Sequence, residues 1–86
     1  MKVRYNTKEK IKRDLDEGKS IIIYADRTGA DLQGRIVNIP RDLKLTFRKL
    51  SDGKIIRERN GMIRIVDEKS ALQFIWDWRK GAEVDS

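Results

Sequence analysis

The sequence predicts one α+β domain, mainly β: an N-terminal helix, a small five-stranded barrel and an apolar C-terminal helix. Three observations carry that expectation. Between Ser20 and Val66, short apolar runs alternate with turn signals at regular intervals. The run from Leu43 to Leu50 alternates with period 2, which a strand with one covered face requires. Each flank of this stretch carries a cap, an apolar stripe and a stop glycine. The expected organisation is a leader over 1–19, a barrel over 20–66, a helix over 67–81 and a tail over 82–86.

In chain order, Met1 to Tyr5 either adds a short edge strand or packs Val3 and Tyr5. Asn6, with Glu9 three residues on, resembles a capping box for a helix over Lys8 to Glu17. Ile11 and Leu15 give that helix a narrow apolar stripe. Gly18 suits its left-handed stop. In the first strand Ile21 and Ile23 alternate with Ile22 and Tyr24, so both faces are expected to be covered. Thr28-Gly29 reads as the first break. Leu32 to Ile39 forms the second strand, with Gly34 as the bend that closes a small barrel.

Leu43, Leu45 and Phe47 should face the core, and Lys44, Thr46 and Arg48 should face out. Ser51-Asp52-Gly53 and Asn60-Gly61 are turn sequences that tolerate positive φ. They separate Leu43–Leu50, Lys54–Glu58 and Met62–Val66 as three strands. Asp67 or Ser70 caps the last helix, which runs to about Lys80 before Gly81. Its apolar residues, Ala71, Leu72, Phe74, Ile75, Trp76 and Trp78, cover over half the helical circumference. One barrel contact does not easily bury them all.

Composition excludes several classes. The chain has no cysteine and no histidine. Disulfide scaffolds, the usual zinc sites and histidine-dependent nucleophilic catalysis are therefore out. No metal, cofactor or enzymatic activity is expected. No apolar run approaches the length of a membrane span, and MKVRYNTKEK lacks the apolar region of a signal peptide. A cytoplasmic protein is expected. The net charge of +6 is unevenly spread. Residues 1–19 carry seven basic and four acidic side chains, residues 20–66 ten and five, and residues 67–86 three and five. The excess in the leader and barrel favours a polyanion as partner.

The barrel's candidate phosphate-binding residues are Arg35, Arg41, Lys44, Arg48, Lys54, Arg57, Arg59 and Arg64. Lys44 and Arg48 share the outer face of their strand, and Arg57 and Arg59 share one side of the next. Paired as a hairpin, those four charges are expected to be near neighbours. Like charges set side by side cost stability unless an anion lies between them. Arginine also matches phosphate with two bonds at once.

The stretch IIIYADRTGADLQGRIVNIPRDLKLTF, with Asn60-Gly61-Met62-Ile63 beyond it, resembles the Sm-like family of small barrels, bacterial Hfq and the YolD-like branch included. Ile21, Ile23 and Tyr24 match the family's first strand. Leu32, Gln33, Gly34 and Ile36 match the second, and Leu43, Leu45 and Phe47 the third. The resemblance implies an SH3/Sm-like barrel behind an N-terminal helix, and nucleic-acid binding. The chain has Pro40 in place of the family's loop aspartate and Lys44 in place of its RNA-contacting asparagine.

Two functions follow as expectations. The first is a non-enzymatic, backbone-dominated binder of RNA or DNA. The alternative is a protein-binding adaptor or inhibitor, of the kind a phage or mobile element encodes, using the C-terminal helix. Its interface would be Leu72, Phe74, Trp76 and Trp78, against a protein partner or a second copy.

Overall fold

The computed structural model describes residues 2–24, 28–30, 36–38 and 44–85 of the 86-residue chain. Helix α1 spans Lys8–Asp16, and strand β1 follows at Ser20–Tyr24. Strands β2 (Thr28–Ala30) and β3 (Ile36–Asn38) pair with each other. Strands β4 (Lys44–Lys49), β5 (Ile55–Arg59) and β6 (Met62–Val66) come next. Helix α2 (Glu68–Asp77) and strand β7 (Glu83–Asp85) complete the order. Five strands form one antiparallel sheet in the order β6-β5-β4-β1-β7, and β2-β3 is a separate two-stranded sheet. The molecule is α+β with most elements strands, as the turn spacing predicts.

Strand register sorts the side chains onto two faces, because residues paired directly across a ladder point the same way. Ile21 pairs with Phe47, and Ile23 with Leu45. Lys49 pairs with Ile55, and Ile55 with Val66. This is the helix-side face. Phe47, Ile21 and Ile23 are all but inaccessible there, with Ile11 and Leu15 of α1 and Ile75 of α2. Each such side chain contributes about 1.5–3 kcal/mol by leaving water. Both helices lie over this face: α1 contacts β1, β4 and α2, and Phe74 of α2 meets Phe47 with ring centroids 5.7 Å apart.

The caps and turns have identifiable causes. Thr7 caps α1, its hydroxyl accepting from the Lys10 amide at 3.2 Å. Gly18, at φ 79°, turns the chain out of α1 and donates to the Leu15 carbonyl. Asp67 caps α2 through the Ser70 amide at 2.9 Å. Tyr5 is buried beneath the helices and donates its hydroxyl to the buried Asp14 at 2.8 Å. Burial, then that bond and the Asp14 charge, pushes the Tyr5 hydroxyl far above its ordinary value. Lys19 lies 3.7 Å from the same carboxylate. Asp16, at the end of α1, accepts from Lys49 of β4 at 2.6 Å.

Three sequence expectations need correction. The N-cap of α1 is Thr7, not Asn6, because Thr7 carries the extended backbone that a cap needs. Thr28-Gly29 lies within β2 and is not a break. Residues 83–85 are not a frayed tail: they form β7, which pairs with β1 and supplies it with a second neighbour. Helix α1 lies across the sheet, in contact with β1 and β4. Gly34, the expected bend, lies outside the described residues.

Candidate nucleic-acid interface

Strands β5 and β6 form a tight hairpin. Asn60 (φ 51°) and Gly61 (φ 81°) both adopt left-handed backbone, the combination a two-residue type I′ turn demands. Glycine is free to adopt it and asparagine is among the few side chains that tolerate it. The turn fixes the register: Arg57 pairs with Arg64, Arg59 with Met62 and Glu58 with Ile63. Arg57, Arg59, Met62 and Arg64 therefore share the helix-side face, while Glu58, Ile63 and Ile65 share the other.

The helices cover only the near half of this hairpin. Along the helix-side face of β5, Ile55 is buried, Arg57 half-buried and Arg59 exposed. The β6 residues Met62 to Ile65 are exposed on both faces. Beyond the helices, Arg57, Arg59, Asn60, Met62 and Arg64 line an open depression of about 370 Å³. Among the described residues, the ion pairs are made by Lys12, Lys19 and Lys49, and none reaches these three arginines. Like charges directly opposed across a ladder oppose the pairing, and Arg57 and Arg64 are so paired.

The other expected phosphate ligands are dispersed. The four-charge cluster of Lys44, Arg48, Arg57 and Arg59 does not form. Phe47 pairs with Arg57, and Arg48 with Ile56, so the side-chain period of two places Lys44 and Arg48 on the face opposite the arginines of β5. Both are exposed there. Lys54 sits in the β4–β5 turn, where its amide donates to Asp52 Oδ1 at 3.0 Å. Arg35 and Arg41 lie outside the described residues. Arg64, assigned from composition alone, is the residue that register brings to Arg57.

The apolar side chains of the C-terminal segment pack in part against the core. Ala71 and Ile75 are buried, and Leu72, Phe74, Trp76 and Trp78 are half-buried against the core. Trp78 stacks on Phe74 with centroids 6.1 Å apart. The Arg79 guanidinium lies 3.9 Å from the Trp76 ring centroid, in cation–π contact. Among the described residues, the exposed large apolar side chains are elsewhere: Met62, Ile63 and Ile65 on β6, with Tyr24 on β1. Sequence reasoning placed these isoleucines in a barrel wall. The missed signal was the position of β6 as an edge strand, which alternation does not encode.

Among the described residues, no three acidic, cysteine or histidine side chains gather as a metal site, and no helix is long and apolar enough to cross a membrane. Compared with known proteins, the chain matches no family model, no curated protein and no solved structure.

Proposed function

We propose that this protein is a non-enzymatic nucleic-acid-binding module that grips the phosphate backbone of RNA or DNA with the arginine face of the β5–β6 hairpin. The observation that carries the reading is the juxtaposition of Arg57 with Arg64, and of Arg59 beside them. Arg59 and Arg64 are exposed and Arg57 is half-buried, and none of the three has a carboxylate partner among the described residues. Among the described residues no aromatic ring lines the depression, so base stacking is not part of the proposed grip. Phosphate contact of this kind orients a nucleic acid without reading its sequence. Lys44, Arg48 and Lys54 supply a diffuse positive field, together with Arg35 and Arg41. The scaffold in this proposal is a small Sm-like barrel, supported by the helix that precedes an antiparallel, hairpin-connected sheet.

The alternative adaptor role for Leu72, Phe74, Trp76 and Trp78 has less apolar surface to offer, since all four pack against their own core. The test is an anisotropy titration of labelled duplex and single strands. The triple variant Arg57→Ala/Arg59→Ala/Arg64→Ala should lose at least about tenfold in affinity at low salt. A Lys8→Ala/Lys10→Ala control on α1 should lose far less. Equal losses in the two variants, or no affinity in the wild type, would overturn the proposal.

A further inference from the structure

Strand β6 is an edge of the five-stranded sheet, with β5 on one side and no strand beside it among the described residues. It is five residues long, has no proline, and exposes Met62 at 63%, Ile63 at 59% and Ile65 at 65%. Natural edge strands are normally blunted against such pairing. The only charge within this strand is Arg64, at its centre.

The sequence of the edge specifies its occupant. Met62-Ile63-Arg64-Ile65-Val66 is a palindrome by residue class about Arg64: apolar, Ile, Arg, Ile, apolar. A two-fold interface sets residue i against j and j against i, so apolar residues placed symmetrically about the centre of this strand meet apolar residues of a second copy. From this we infer that β6 pairs antiparallel with β6 of a second copy, on a two-fold axis through Arg64. Ile63 then faces Ile65 of the other copy, twice over, and four isoleucines close into one apolar patch on one side of the joined sheet. Met62 faces Val66 on the other side.

That other side carries the arginines. Pairing brings two sets of Arg57, Arg59 and Arg64 onto one continuous face, with Arg64 opposed to its own copy. Like charges so placed oppose the pairing, and a polyanion lying along the face relieves them. Dimer formation is thereby linked to anion binding: whatever binds only the paired form stabilises it. This anion dependence rests on the nucleic-acid reading above; the strand pairing itself does not.

The chain has no cysteine, so single cysteines report the register directly. Arg64→Cys places two thiols opposite each other across the axis, within disulfide reach, whereas Met62→Cys places them several residues apart. Under mild oxidation Arg64→Cys should form the covalent dimer at least about tenfold faster than Met62→Cys. Adding Ile63→Thr and Ile65→Thr to Arg64→Cys should abolish the advantage. For the wild type, sedimentation equilibrium should show a rise in mass when sulfate replaces chloride at equal ionic strength.

Cross-linking no faster at position 64 than at 62 overturns the pairing, and nucleic-acid affinity kept in that case leaves the earlier reading standing. Fast cross-linking at 64 in a protein without nucleic-acid affinity upholds the pairing and removes that reading. A wild-type mass indifferent to sulfate overturns the anion dependence.

Discussion

Two side chains set much of the local chemistry. Tyr5 satisfies the buried Asp14 carboxylate with a 2.8 Å bond. Tyr5→Phe should cost about 1.5–3 kcal/mol, the range for a hydrogen bond to a charged group, measured by urea denaturation. The bond also has a pH signature. The folded chain holds the Tyr5 hydroxyl protonated well beyond its ordinary value of 10.0. Its contribution is complete below that value and falls as pH rises above it, because the unfolded chain ionises there and the folded chain resists. The Tyr5→Phe variant should lack that part of the alkaline loss. Asp16 shows the opposite sign. Bonds to Lys49 and then Lys12 hold its carboxyl below the ordinary 3.8. The stability difference between wild type and Asp16→Asn should persist above 3.8 and shrink as pH falls through the lower folded value. Thermal melts across the acid range measure it. A difference that grows on acidification would contradict the pairing of α1 with β4.

At the scale of elements, the β5–β6 hairpin governs both the site and the edge. Its turn depends on Gly61 at φ 81°, where a Cβ is strained whatever the space. Gly61→Ala should destabilise the protein by about 1 kcal/mol, measured by thermal or chemical denaturation. Most elements were legible because their signals are local. Gly18 marked the end of α1, the Leu45–Phe47 alternation marked β4, and Asn60-Gly61 marked the hairpin. Strand β7 was not, because Glu83-Val84-Asp85 has no apolar alternation and forms only by completing the open side of β1. The candidate site was half legible. Arg57 and Arg59 follow from their two-residue spacing. Their separation from Arg48 depends on the register that the Ser51–Gly53 turn imposes, and one residue of slip would have put all three together. The opposition of Arg64 to Arg57 is likewise a register fact that no composition reveals.

At the scale of the molecule, the helices protect one end of the sheet and leave the hairpin at the other. The stable end holds the continuous core of α1, α2, β1 and β4. The exposed end holds the arginines and the apolar edge. A chain of this size has little stability to spare, so Phe47→Ala, which should cost about 3–5 kcal/mol, would bring it close to unfolding. Removing Arg57, Arg59 and Arg64 from the uncovered surface should leave the fold intact. The positive charge is therefore separable from the core, and its role is open to direct measurement. The central claim is that three arginines on the β5–β6 face hold a phosphate backbone. Its most direct test is the salt dependence of affinity for a DNA duplex. The logarithm of affinity should fall with the logarithm of salt at a slope of about −2 to −3, from roughly −0.9 per neutralised phosphate. Arg64→Ala should make that slope shallower by about one unit. An unchanged slope in that variant, or an affinity indifferent to salt, would contradict the account.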